Sequence, residues 1–379
     1  MTLTPRTQSV HPFMAAAVLG MLLFATPKAP ASPSPDPDLH SAPSTLRPQS
    51  IDQELKLAGD YLSGHGVAQD NSLAAYWYEK AAGAGDALAQ LQTGYLYEAG
   101  IGVPRDPARA FHWYQLAAAG GLVQAKASLG MAYLWGTGVT KNEQMAAQLL
   151  SEAAAQGSGL ADAYLGDMYS LGIGVTRDRA AAERWYMKGV KLHDPLAEFQ
   201  MGAILFEDTH HAADMRQATR LLRESASAGF VPPMHLLGFL LIRNPSLAKS
   251  PEEAVAWLDE SASAGMWRSS LVLGILARDG NGVPASAAEA YYHFRIAVLQ
   301  GGDEANKFLR HDLDTLSADL GPGQVSGIEN RARQWYQLHH AVLEFKFKEG
   351  ENGTRFPAYA LALPEAGLHA VQVMPTSVE

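Results

Sequence analysis

A chain of 379 residues that is 47% hydrophobic and 18% charged carries ample apolar content for a buried core, which excludes wholesale disorder. Its formal net charge of -10 leaves no basic excess to neutralise phosphates, so neither nucleic acid nor an anionic lipid surface is expected as its main partner. The absence of cysteine excludes disulfides, thiolate nucleophiles, cysteine-ligated zinc or iron–sulfur centres and a lipid-bearing N-terminal cysteine.

Residues 1–12 are polar, with Arg6 their one formal side-chain charge, and the apolar run Phe13–Ala25 follows. The small-residue triplet Ala29-Pro30-Ala31 comes next, so residues 1–31 read as a secretory signal cleaved after Ala31. A run of 13 residues is short for a bilayer-spanning helix, which needs about 20, and an uncleaved anchor is the alternative. Residues 32–50 are rich in Pro and Ser and read as an extended linker. No later segment is apolar enough to cross a membrane, so no membrane insertion is expected once the signal is removed.

From residue 51 the chain repeats itself every 36 residues, without insertion or deletion, as far as residue 302. Ala74, Ala110, Ala146, Ala182, Ala218, Ala254 and Ala290 form an unbroken column. Gly94, Gly130, Gly166, Gly202, Gly238 and Gly274 form a second, and Tyr61, Tyr97, Tyr133 and Tyr169 begin another. The period defines seven units: 51–86, 87–122, 123–158, 159–194, 195–230, 231–266 and 267–302.

Each unit parses as helix, turn, helix. In the second, Ala89, Leu96 and Tyr97 share one side of the first helix. Gly94 sits mid-helix, where glycine costs up to about 1 kcal/mol against alanine; a closely approaching neighbour would explain it. The turn Gly100-Ile-Gly102-Val103 supplies positive φ as the chain reverses, and Gly-x-Gly-Val recurs at Gly64, Gly136, Gly172 and Gly280. Asp106-Pro107 then opens the second helix with an N-cap acceptor and a preset φ. Ser250-Pro-Glu-Glu253 and Ser286-Ala-Ala-Glu289 read as capping boxes. One hairpin cannot bury both its faces, whereas a stack of copies can, so the expected fold is all-α: a right-handed α-solenoid of seven hairpins.

These columns together resemble the Sel-one-like repeat (SLR) family, relatives of the tetratricopeptide repeats. In the fourth unit Ala161, Leu165, Gly166, Tyr169, Gly172, Gly174, Val175, Asp178, Ala182, Trp185 and Tyr186 all match the family pattern, and the resemblance covers 51–302. Units five and six depart from it, because 207–214 and 243–250 replace the glycine turns. Since the period survives, the fold is expected to survive with altered loops. The resemblance implies adaptor or scaffold work. Similar secreted bacterial proteins act as envelope regulators, host-interaction factors or assembly partners, while cysteine-rich relatives bind β-lactams or peptidoglycan fragments. A periplasmic or secreted bacterial scaffold for protein partners is therefore expected, with a binder of peptidoglycan fragments or another small ligand as the alternative.

Beyond the repeats, 303–347 read as C-terminal capping helices, Ile328, Trp335, Leu338, Val342, Leu343 and Phe345 giving the last of them an apolar stripe. Residues 348–379 read as a tail.

No residues converge on catalysis, and neither a cofactor nor a metal is expected. Ser246-x-x-Lys249 matches two positions of a serine-enzyme motif but lacks the accompanying Lys-Thr-Gly strand and α/β scaffold. Asp208, His210, His211 and Asp214 crowd one turn, and His339-His340 lie on the last helix; a solvated loop or helix face is the default for both groups. In helical solenoids the first helices line the concave face. Beside their family columns lies a stripe that the repeat does not dictate: Gln92, Tyr95 and Glu98; Ser128, Met131 and Trp135; Tyr164, Asp167 and Leu171. Exposed Tyr and Trp bury much area at small entropic cost, so Tyr95, Trp135 and Tyr164 are the expected anchors for a partner, with Gln92, Ser128, Met131 and Asp167 around them.

Overall fold

The computed structural model describes Pro48, residues 50–207 and residues 212–348. Residues 1–31, read as an export signal, nearly all of the expected linker, the expected tail beyond 348 and the metal candidates Asp208, His210 and His211 lie outside the described residues. All regular structure among the described residues is helical. A first compact unit ends at Gln156 and holds three hairpins: α1 (Ile51–Ser63) with α2 (Asn71–Gly83), α3 (Ala87–Ala99) with α4 (Pro107–Ala119), and α5 (Val123–Trp135) with α6 (Glu143–Ala155).

The second unit begins at Gly157. It holds α7 (Gly159–Leu171), α8 (Arg179–Lys191), α9 (Pro195–Glu207), α10 (Ala212–Ser227), α11 (Val231–Arg243), α12 (Glu253–Ser263), α13 (Trp267–Asp279) and α14 (Ala287–Lys348). The backbone of α14 leaves helical geometry at Gly302 and Gly321, which divides it into stretches 287–301, 303–320 and 322–348. Within each unit the two helices of a hairpin pack on each other, and each second helix packs on the first helix of the next hairpin. The described residues thus form an all-α solenoid fold of seven helical hairpins, three in the first unit and four in the second.

Local chemistry sets the helix ends. The Asp106 carboxylate accepts from the Arg109 amide at 3.0 Å, and Pro107 occupies the first helical position. Asp70, Asp86, Asn142, Ser158 and Asp178 cap α2, α3, α6, α7 and α8 in the same way. The two expected capping boxes turn out differently. Ser286 Oγ accepts from the Glu289 amide, but the Glu289 carboxylate reaches Arg331 and not back to Ser286. Ser250 forms no side-chain cap, because α12 starts later, at Glu253, whose carboxylate accepts from the Lys249 amide, one residue before Ser250, and from Arg223 at 2.7 Å.

Two glycine positions show how closely the hairpins fit. A methyl group on Gly94, Gly166 or Gly274 would overlap the ring of Tyr114, Tyr186 or Phe294 from the paired helix. In the Gly130 and Gly238 hairpins leucine takes the ring's place, and the added carbon would lie 2.7 Å from Leu150 or Leu258. The second glycine of the turn serves a different contact. Gly102, at φ +70°, lies on the Asn71 carbonyl at the start of α2, and Gly138 lies in the same way on Pro107 of α4. A side chain at either would displace the preceding hairpin. The alanine column is buried throughout, from Ala74 to Ala290.

The stretch 303–320 sets Ala305, Leu309, Leu313 and Leu316 against Trp267, Ala277, Ala290 and Tyr291, closing the end of the last repeat. The stretch 322–348 places Ile328, Ala332 and Trp335 against Tyr292 and Ile296. Its attachment is also electrostatic: Arg331 grips Glu289 with both terminal nitrogens, and Glu329 lies 3.4 Å from Arg295. No described helix is long and apolar enough to cross a membrane.

Candidate binding surface

The residues expected to face a partner lie on α3 and α5 in the first unit and on α7 in the second. In the first unit Tyr95 is half-buried, its ring edge-on to Tyr114 at 5.5 Å, and its hydroxyl lies 3.3 Å from Ser128 Oγ on α5. Burial raises the Tyr95 phenol above its usual range, so it stays a neutral hydrogen-bonding group. Tyr114 passes beneath α3 and donates to Glu98 at 2.6 Å. Met131 and Trp135 on α5 are also half-buried, the fringe of a core and not free side chains.

In the second unit Tyr164 packs against the cluster of Ala163, Leu196 and Ala197, and Leu171 is exposed. Tyr186 repeats the role of Tyr114, donating to Asp167 at 2.7 Å. The expectation of an open stripe therefore needs correcting at three positions. Gln92, Ser128 and Asp167 are only 9%, 3% and 4% exposed. Ser128 turns its hydroxyl to the Gln124 carbonyl and Asp167 receives a buried tyrosine, so the fold does dictate these residues. Tyr95 and Ser128 are brought together directly, and the aromatic and methionine side chains form the accessible part of the set.

Sequence reasoning passed over a group of buried acids in the second unit. Asp162 and Glu198 stand one repeat apart at the same place in α7 and α9, and both are nearly inaccessible. Burial pushes Asp162 up to about 6, Lys188 opposing it. Burial likewise pushes Asp194 up to about 6, with the Asp162 charge adding to the shift. Glu198 reaches about 7 through burial and the charges of Glu224 and Asp194. The 36-residue step from Asp162 to Glu198, in a column that also holds Glu54, Gln90, Lys126, Met234 and Ser270, was the available signal. His235 is the opposite case. It is buried with its Nδ1 2.7 Å from Ser269 Oγ, and burial lowers its pKa to about 3. Among the described residues no group of three or more His, Asp or Glu could hold a metal ion. Ser246 and Lys249 are both exposed.

The family description "Sel1 repeat" matches the chain over 54–86, 87–122, 123–158, 159–194, 195–230, 234–266 and 271–302. Among solved structures, a Sel1 repeat protein from Oxalobacter formigenes is similar at 29% identity and a TM-score of 0.50, covering 69% of this chain and 76% of that one. The protective antigen c5321 of uropathogenic Escherichia coli, which displays an SLR fold, is 21% identical with a TM-score of 0.32, covering 80% and 87%. The immunity protein Pa5087 of Pseudomonas aeruginosa is 22% identical with a TM-score of 0.34, covering 58% and 82%. No curated protein matches the chain.

Proposed function

This chain belongs to the Sel1 repeat family, and on that premise we propose that it is an exported, non-catalytic scaffold that captures protein partners through side chains of its first helices. Sel1-repeat proteins are helical-repeat scaffolds that typically mediate protein interactions, and the family is generally non-catalytic. The observation that carries the reading is the state of Tyr95, Met131, Trp135 and Tyr164. Each lies on a first helix at a position the repeat leaves variable, and each is held half-buried, with apolar area still open. An aromatic group already fixed by its neighbours loses little further freedom on binding. The order of charge, apolar run and Ala29-Pro30-Ala31 at the start of the sequence supports export to a bacterial envelope.

The test is crosslinking of the tagged protein in its native host, followed by identification of what co-purifies. One or a few reproducible proteins are expected. Replacing Tyr95, Trp135 and Tyr164 together by alanine is expected to weaken their capture at least tenfold while the helical circular-dichroism signal is kept. Unchanged capture by a folded triple variant would reject the surface, and recovery of wall fragments alone would reject protein binding. N-terminal sequencing of the exported protein is expected to begin at Ser32; an intact Met1 would reject cleavage.

A further inference from the structure

The second unit contains a cavity of about 270 Å³ that is separate from the first-helix aromatics. Its walls come from four places: Asp259 and Ser263 on α12, Ser270 on α13, Tyr292 and His293 on the stretch 287–301, and Arg331 and Trp335 on the stretch 322–348. Ala262, Leu273 and Ile296 supply apolar wall. The cavity therefore exists only because the final helix folds back over the last repeat.

What it would hold follows from which wall groups are already engaged. Arg331 is neutralised by its two hydrogen bonds to Glu289, of 2.7 and 3.0 Å, and lies 3.7 Å over the Tyr292 ring. Ser270 donates its proton to Gln300 Oε1 at 2.7 Å. Arg331 and Ser270 are thus engaged within the protein. The Asp259 carboxylate, the Ser263 hydroxyl and the His293 ring, which feels the charges of Glu289 and Arg331, form no hydrogen bond or ion pair among the described residues. Burial lowers His293 to about 4, so at neutral pH the ring is uncharged and carries an acceptor lone pair. Asp259, solvent-exposed at the mouth of the cavity, is the formal charge in the wall that has no ion-pair partner among the described residues, and partial desolvation raises its carboxyl above the usual range.

We infer that this cavity is a binding site for a basic group, an alkylammonium or a guanidinium, with Asp259 as its counter-ion, Ser263 and His293 as further acceptors, and Ala262, Leu273 and Ile296 around the attached methylenes. Lys and Arg side chains have this amphipathic form, an apolar stem with a charged head, and free diamines share the chemistry. A neutral or acidic ligand would leave Asp259 without a counter-charge. The assignment goes beyond partner capture by Tyr95, Trp135 and Tyr164, and none of those residues enters its test.

Isothermal titration of the exported protein with Nα-acetyl-L-arginine amide, Nα-acetyl-L-lysine amide, putrescine and Nα-acetyl-L-glutamine amide tests it. Saturable binding of the basic probes is expected, with Kd on the order of 1 mM for so small a ligand. Asp259→Asn, on an exposed helix position where folding is undisturbed, is expected to weaken binding at least tenfold, and Ser263→Ala less. Stronger binding of the amides than of putrescine would assign the cavity to a partner's side chain, and the reverse order to a free amine. No saturation, equal binding of the glutamine amide, or an unaltered Kd in a folded Asp259→Asn protein would each overturn the assignment.

Discussion

At Gly94 a single added methyl group would enter the Tyr114 ring, whose hydroxyl is itself fixed on Glu98. The tyrosine cannot step aside without losing that hydrogen bond, so the excess volume has no outlet. Gly94→Ala is expected to destabilise the protein by about 1–3 kcal/mol despite alanine's better helix propensity, read as a lower urea midpoint. An unchanged or higher midpoint would mean that the hairpin can open freely at this point. Glu198 offers a second residue-scale test. A carboxyl whose pKa is raised on folding favours the folded state below its unfolded pKa, and that contribution is lost as the pH rises through about 7. Glu198→Gln is therefore expected to stabilise the protein by about 1–2 kcal/mol at pH 7.5, and to leave it unaltered near pH 5. Depressed His235 works the other way, losing stability as the pH falls from its usual range towards about 3. The difference in Tm between variant and wild type at each pH isolates Glu198; equal differences at both would reject its titration.

Among the elements, the stretch 322–348 departs most from the repeat pattern. Gly321, in the left-handed region at φ +76°, and Pro322 break it from 303–320 and return it across 287–301. It covers Tyr292 and Ile296 and brings Arg331 to Glu289. A chain ending at Gly321 keeps the inner cap on Trp267 but loses this cover. Such a truncation is expected to lower Tm by several degrees and to raise binding of a dye specific for exposed apolar surface. Unchanged Tm and dye binding would show that the last helix is not structurally attached.

Across the whole molecule, what was legible in the sequence is what repeats. The buried alanines, the turn glycines and the Asp106 cap are each copied several times, and each acts within one hairpin or its neighbour. Contacts made once were not legible. Glu253 is spaced as a capping residue, and only folding brings it to Arg223, thirty residues earlier. Helical spacing placed Gln92, Ser128 and Asp167 beside the core but gave no measure of how far the adjoining tyrosines and helices would cover them. The cavity beside Asp259 needs Arg331 and Trp335 to arrive from a helix that no repeat predicts. The contact of Gly102 on Asn71, and of Gly138 on Pro107, has a consequence for how such a chain is made. Each of these two turns rests on a helix that precedes it, so its hairpin finds its seat already synthesised when it emerges. A polypeptide passing through a narrow pore, amino end first, could be laid down one hairpin at a time without waiting for residues still inside. The return of 322–348 onto 287–301 comes last, and a product cut short by a premature stop would lack that closing step and leave its growing end open.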